Sequence, residues 1–344
     1  MKPRFNNKIK VGKKLISKDS GAFLIGEIGS NHNQSLSLAK ELIDIAHEAG
    51  LDAVKFQSLK FEELYLPSND DLKSLHKSID FNEKWYHELF AYCKKRGLVF
   101  LSSPTYLEAV EILEDLGAAA YKIASPQTVG FAHLIKKVAK TGKPLFVSTG
   151  YCTMPEVRRA VSLVAEGGNK NLVLLHCISK YPTPEKLVNL RMMDVFRDEF
   201  SVLTGFSDHT MSTTTPALAF MHGARVIEKH FTLDRKLEGP DHCYALEPDE
   251  LKIMASGVRE AEVMLGNGKR ILLPFEKSFK KKIKMKIVAA RDIKKGETLA
   301  GNDVVFRRAQ GGIEDFDLEK YIGRKTASNI AKMSLIKPIY FHDK

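Results

Sequence analysis

The sequence predicts an α/β fold: a (β/α)8 barrel followed by a small, mostly β C-terminal domain. Three observations predict it. Eight short β-branched runs alternate with amphipathic helical stretches from residue 22 onward. Those runs are nearly continuously apolar, as parallel strands covered on both faces must be. The alternation ends near residue 265, where a basic stretch leads into short strands with turn signals.

Taken in order, residues 1–21 read as an N-terminal arm or β ribbon, and residues 22–270 as the barrel. The strands are expected at AFLIGEIG (22–29), AVKFQ (53–57), VFLSS (99–103), YKIAS (121–125) and LFVST (145–149). LVLLHC (172–177), VLTGFSD (202–208) and ARVIEKHF (224–231) continue the series. After the first strand, Leu38, Leu42, Ile45, Ala46 and Ala49 recur on one helical face. Ser35 or Ser37 can cap its start, and Gly50 takes the left-handed position at its end. Val110, Leu113 and Leu116 before Gly117 repeat the scheme, and Pro155 suits a first helical turn. Eight such units in roughly 245 residues fit a barrel; an open doubly wound sheet is the alternative. After a final helix near 248–265, residues 271–285 form a basic linker, and residues 286–344 a separate small domain with a Lys-Gly-Glu turn.

Composition bounds the function. Hydrophobic residues make up 44% and charged residues 28% of 344 positions, an ordinary balance for a globular protein. No apolar run approaches the roughly 18 residues a membrane span needs, and the basic N-terminus lacks the apolar core of a secretion signal. Cys93, Cys152, Cys177 and Cys243 show no paired spacing, so a cytoplasmic setting is expected. Much of the net charge of +11 sits in KSFKKKIKMK (277–286), which lacks the repeated aromatic interleaving that stacks bases. Nucleic acid is therefore not expected as a partner. No Walker loop, G-x-G-x-x-G or H-E-x-x-H occurs.

Barrel enzymes build their sites at the C-terminal ends of the strands, and polar residues gather there. Strand one ends at Glu27 before Ser30-Asn31-His32-Asn33; strand two at Lys55-Phe56-Gln57; strand three at Ser102-Ser103. Strand four ends at Lys122 and Ser125, strand five at Ser148-Thr149-Gly150, and strand six at Cys177 through Ser179 to Tyr181. Strands seven and eight end at Ser207-Asp208-His209 and Glu228-Lys229-His230. Singly, such a serine more often closes a turn, and such a histidine is usually a hydrogen-bonded core residue. Together they say more. Lys55, Gln57 and Lys122 interrupt apolar strands, and a buried ammonium needs a partner. An anionic ligand supplies one, at about 4 kcal/mol for a charge pair about 4 Å apart at moderate dielectric. His209 and His230 end adjacent strands and can converge on one divalent ion with open positions.

The segments GEIGSNHNQS (26–35), VKFQS (54–58), FLSSP (100–104), YKIAS (121–125) and VSTG (147–150) resemble the sialic acid synthase family. So do HCISKYPTP (176–184), GFSDHT (205–210) and IEKHFTLDRKLEGPDH (227–242), while ARDIKKGETL (290–299) resembles its antifreeze-protein-like (SAF) domain. The resemblance implies an N-acetylneuraminate synthase-like enzyme that condenses phosphoenolpyruvate with an N-acylated amino sugar of the N-acetylmannosamine type. It also implies a homodimer in which each small domain covers the partner's barrel. By the same resemblance, His209 and His230 hold Mn2+ or Mg2+, and Lys55, Lys122, Ser125 and Ser148 hold phosphoenolpyruvate, with Ser103 and Ser179 beside it. Glu27, Gln57, Tyr181 and Asp241 contact the sugar or shuttle protons, and Arg308 reaches the sugar's acyl group across the dimer. Glu27 is the first choice for proton management.

The match departs from the family pattern in places. Gln127 stands where an acidic residue is usual, Thr105 where an aromatic is frequent, and Ala309-Gln310 where proline and glycine follow the arginine. The 60–82 loop is short where relatives have a longer one that contacts substrate, with Asn69 as a candidate substitute for a loop asparagine. These departures leave the sugar open: legionaminic- or pseudaminic-type acceptors, or a catalytically impaired carbohydrate binder, are the alternatives. A lysine Schiff-base aldolase using Lys122, and a condensation with another aldose phosphate, are the other enzyme readings.

Overall fold

A computed structural model describes residues 3–66, 73 and 79–342; Asn69 and most of the loop around it lie outside the described residues. The chain divides into two compact units, residues 1–266 and 267–344.

The first unit opens with an antiparallel ribbon, β1 (Lys8–Val11) and β2 (Lys14–Ser17). Eight parallel strands follow: β3 (Phe23–Gly29), β4 (Ala53–Ser58), β5 (Val99–Pro104), β6 (Tyr121–Ile123), β7 (Leu145–Ser148), β8 (Leu172–Cys177), β9 (Leu203–Asp208) and β10 (Val226–His230). Their order, β5-β4-β3-β10-β9-β8-β7-β6, is that of a barrel in which β5 and β6 adjoin to complete the ring.

Local sequence explains the helices between them. In α1 (Leu36–Glu48) the Ser35 side chain accepts from Leu38 N, satisfying a donor that the helix start leaves open. The short α2 (Phe61–Leu64) precedes α3 (Tyr86–Arg96), and α4 (Glu108–Leu116) stops at Gly117, whose φ of 81° is left-handed. Then come α5 (Ser125–Gly130), α6 (Ala132–Lys140) and α7 (Met154–Glu166). At the start of α7, Glu156 accepts from both Thr153 N and Thr153 Oγ1 (2.7 Å each). The unit ends with α8 (Met192–Phe200), α9 (Thr215–Met221) and α10 (Pro248–Leu265).

Strand alternation sorts the side chains. Leu24, Val54, Phe56, Phe100 and Leu174 pack outward with the helices, whereas Phe23, Ile25, Ala53, Leu101, Phe146 and Val226 fill the interior. Ile9, Val11 and Ile16 of the ribbon join that interior cluster, so the ribbon plugs the barrel floor. Asp52 ties the pieces: it accepts from Leu24 N (2.8 Å), pairs with Arg259 of α10 (2.9 Å), and meets Lys14 of the ribbon.

The second unit carries α11 (Pro274–Ile283), within the basic stretch, and a ladder of β11 (Met285–Ala289) with β12 (Val304–Arg308). Ile287, Ile293, Leu299, Ile330 and Ile336 form its core. The Lys-Gly-Glu turn is real: Gly296 takes φ 88° and its N–H donates to Thr326 O (2.7 Å).

Candidate active site

The interior phase of each strand continues past the apolar layers into polar residues. Glu27 follows Phe23 and Ile25; Lys55 and Gln57 follow Ala53; Ser103 follows Leu101; Lys122 follows Ala120; Ser148 follows Phe146. Cys177, Ser207 and Glu228 follow on β8, β9 and β10 in the same way. They line a cavity of about 620 Å³ at the C-terminal mouth, together with Thr105, Ser125, Gln127, Tyr181, His209 and His230.

Four buried ionisable groups form its floor. Lys55 Nζ lies 2.7 Å from Glu27 Oε2 and 3.6 Å from Glu228 Oε2, and donates to Ser103 Oγ (3.0 Å). Lys122 Nζ donates to Glu228 Oε1 (3.0 Å), which also accepts from Ser207 Oγ (2.8 Å). Gln57 Nε2 donates to Glu27 Oε1 (2.7 Å). The lysines therefore already have protein partners, Glu27 and Glu228, instead of waiting for an anion to supply one. Glu228 is the bridging carboxylate, a role the sequence reading missed. Its signal was the phase it shares with His230, two residues on.

The electrostatics are uneven. Burial disfavours the Glu228 carboxylate, yet Lys122 and Lys55 outweigh it and hold its pKa below the ordinary value. Burial also opposes the Lys55 ammonium, but Glu228 and Glu27 raise its pKa. Lys122 is lowered by burial and by Lys55. Glu27 is raised, by burial first and by Glu228, against the pull of Lys55. Of the two carboxyls, Glu27 is the one poised to hold a proton.

Above this floor the rings of His209 and His230 lie 5.5 Å apart, with Tyr181 4.2 Å from His209. His209 Nδ1 is 2.8 Å from Ile178 O, which fixes the ring and leaves Nε2 for a ligand. His230 Nδ1 is buried with no hydrogen-bond partner among the described residues, and burial pushes its imidazole down to about 3. The His209 pKa is raised: burial opposes charge there, but Cys177 and the Ile178 carbonyl prevail. Two neighbouring imidazoles, one held by a carbonyl and the other with an orphaned nitrogen, fit a divalent ion. Among the described residues no third His, Cys, Asp or Glu joins them, so water or substrate would complete the shell.

Other predicted residues sit around this centre. Ser125 Oγ and Ser179 Oγ approach Cys177 Sγ (3.6 and 3.9 Å), and Ser148 Oγ is buried without a partner among the described residues. Gly150 keeps this corner open: a Cβ there would fall 2.1 Å from Ser179 Oγ and 2.7 Å from Ser125 Oγ. Asp241 accepts from Ser30 Oγ (3.0 Å) and Tyr244 OH (2.6 Å), and a Cβ on Gly29 would lie between it and Gln57. Gln127 Oε1 is buried in the wall without a partner among the described residues. Arg308 ends β12 in the second unit and is exposed. Asp208 and Lys229, at strand ends but in the outward phase, pair with each other (2.7 Å) behind the sheet, away from the cavity.

Paired lysines, paired carboxyls and two imidazoles gathered at the C-terminal mouth of a barrel have the make-up of a barrel enzyme's active site. The chain belongs to the NeuB family, whose model matches residues 42–270, and residues 285–338 match the SAF domain. It is 36% identical over 329 residues to the N,N'-diacetyllegionaminic acid synthase of Campylobacter jejuni, covering 91% of this chain and 98% of that one. To a pseudaminic acid synthase of the same species it is 34% identical over 326 residues, covering 91% and 94%. The N-acetylneuraminic acid synthetase of Leptospira borgpetersenii, solved in complex with citrate, superposes with a TM-score of 0.74 at 30% identity, over 80% of this chain and 96% of that chain. The chain is thus an N-acetylneuraminate synthase-like enzyme with a nonulosonate synthase role.

Proposed function

We propose that the enzyme condenses phosphoenolpyruvate with an unphosphorylated N-acylated amino sugar of the N-acetylmannosamine type, giving a nine-carbon acidic sugar and phosphate. The observation that carries this reading is the buried Lys55–Glu27–Glu228–Lys122 group facing two imidazoles across one cavity. Phosphoenolpyruvate brings about three negative charges, which the two ammoniums and the hydroxyls of Ser103, Ser125, Ser148 and Ser179 would orient. A divalent ion, Mn2+ or Mg2+, held by His209 and His230 would act as a Lewis acid on the sugar aldehyde.

C3 of phosphoenolpyruvate then forms the new bond to the aldehyde carbon, and the aldehyde oxygen takes a proton. Water adds at C2, losing a proton; the C2 hydroxyl then closes to the ketone, its proton passing to the departing phosphate as the C2–O bond breaks with its electrons on the phosphate oxygen. Glu228 stabilises positive charge developing at C2. Glu27, its carboxyl inclined to hold a proton, transfers one near the aldehyde while Gln57 fixes its orientation. Tyr181 and Asp241 border the sugar. In a homodimer, Arg308 would reach the sugar's acyl group in the partner's mouth. Four free thiols fit a cytoplasmic setting, and no helix among the described residues is long and apolar enough to cross a membrane.

A second reading, a diacetamido trideoxy acceptor, is favoured by the identity with the legionaminic acid synthase. One assay tests both. Phosphate release and product mass are followed with phosphoenolpyruvate, Mn2+ and a panel of N-acetylmannosamine, its 6-phosphate and the two diacetamido sugars. Release that requires a free acceptor and disappears in His209→Ala is expected, and the best acceptor names the product. Better turnover of the 6-phosphate would overturn the choice of acceptor. Silence with every acceptor would overturn the reaction.

A further inference from the structure

The loop that follows β10 returns to the cavity mouth, and His242 anchors it there. Its Nδ1 lies 2.6 Å from Thr232 Oγ1 and its Nε2 3.0 Å from Asn33 Oδ1. Asn33 Nδ2 also donates to Glu238 O (2.9 Å), and Leu246 N donates to His230 O (3.0 Å). These bonds tie the loop to β10 and to the loop after β3, so its path is fixed without the Tyr244 hydroxyl.

Tyr244 does something else. It is only 3% exposed. Its ring packs edge-on against His230 (5.3 Å between centroids) and at a tilt against Tyr181 (5.2 Å), both of which line the cavity. Its hydroxyl donates to Asp241 Oδ1 (2.6 Å). Oδ2 of the same carboxylate accepts from Ser30 Oγ (3.0 Å) and Ser30 N (3.4 Å). A carboxylate has about four lone-pair sites. Ser30 takes those of Oδ2, and Tyr244 takes one on Oδ1. Among the described residues the other Oδ1 site stays open, and the phenol decides where it faces.

Asp241 stands close to the floor groups. Gly29, at a left-handed φ of 54°, lets them converge: a Cβ there would fall 2.9 Å from Asp241 Oδ2, 3.3 Å from Gln57 Nε2 and 3.4 Å from Glu27 Oε1. An unrestrained aspartate side chain can turn between rotamers and offer either oxygen. Held at both oxygens, it offers one.

We propose that Tyr244 is a positioning residue for the acceptor: its hydroxyl fixes the Asp241 carboxylate so that Oδ1 accepts from a hydroxyl of the sugar. The inference rests on the proposed acceptor class, an N-acylated amino sugar, and adds the residue that aims one of its receptors.

The test uses ligands that cannot react. The alditols of N-acetylmannosamine and of the two diacetamido sugars keep the hydroxyls and lack the aldehyde. Each is titrated calorimetrically, with Mn2+ present, into the full-length parent chain, Tyr244→Phe, Asp241→Ala and the double variant. Tyr244→Phe keeps the ring and loses only the hydroxyl. It is expected to raise the Kd of the alditol that the parent binds best about tenfold, as loss of a hydrogen bond to a charged group does. The Kd of phosphoenolpyruvate is expected to stay unchanged. In the Asp241→Ala background the same change should weaken the alditol no further, because the carboxylate it positions is gone. Equal alditol affinity in the parent and Tyr244→Phe would overturn the inference. So would full additivity in the double variant, or equal weakening of alditol and phosphoenolpyruvate, the mark of a structural loss. A parent chain that binds phosphoenolpyruvate and none of the alditols would instead overturn the acceptor reading beneath it.

Discussion

Glu228 answers two ammoniums at once, so its charge is worth more than either lysine pair suggests. Glu228→Gln keeps the shape and leaves Lys55 and Lys122 sharing Glu27 alone. Removing one partner of a buried pair costs about 3–5 kcal/mol, and kcat/KM is expected to fall on the order of 100-fold. Urea titration and initial rates check the two effects, and Glu228→Asp should recover part of both. His32 makes a pH prediction. It is buried among Phe56, Phe81 and Trp85, and burial alone lowers its pKa to about 4 from 6.5. Because the folded value lies below the unfolded one, the unfolded chain takes up a proton first as pH falls. His32 therefore costs no stability above about pH 6.5 and progressively more down to about pH 4, at up to about 1.4 kcal/mol per pH unit. Denaturation midpoints across that window should fall less steeply in His32→Gln than in the parent chain.

At the scale of the element, the ribbon repays attention. Ile16 is 1% exposed inside the barrel floor, though it belongs to a four-residue strand. Ile16→Ala should cost about 2–5 kcal/mol, seen as a lower urea midpoint with an unchanged slope. The sequence could not reveal this. KIKV and KLIS carry too few apolar residues to announce a partner, whereas the eight barrel strands are apolar on both faces and declare themselves. The same contrast runs through the site. Lys55, Gln57 and Lys122 stood out as polar residues in apolar strands. Asp208 and Lys229 stood out equally, and only the alternation phase separates an outward pair from an inward one. Which carboxylate meets which lysine depended on how strands distant in sequence face one another across the barrel, information no local pattern holds. The Ser35 cap and the Gly117 stop, by contrast, needed only their neighbours and were legible.

For the molecule as a whole, the first unit completes its core from its own side chains: an outer layer under the helices, an inner one sealed by the ribbon, and buried ion pairs that satisfy each other. A metal at His209 and His230 would serve chemistry and not folding. Chelation is expected to abolish turnover while moving the thermal midpoint by no more than about 2 °C, the order of shift that about 1 kcal/mol produces in a domain this size.

The plugged floor also governs traffic. A vessel with a single door would make its contents queue: in the proposed reaction, whatever lodges against Lys55 and Lys122 would pass the imidazoles on the way in and wait behind its companion on the way out. Under the proposed reaction, sequence of entry would then be a property of the container, written by three ribbon side chains buried in its floor.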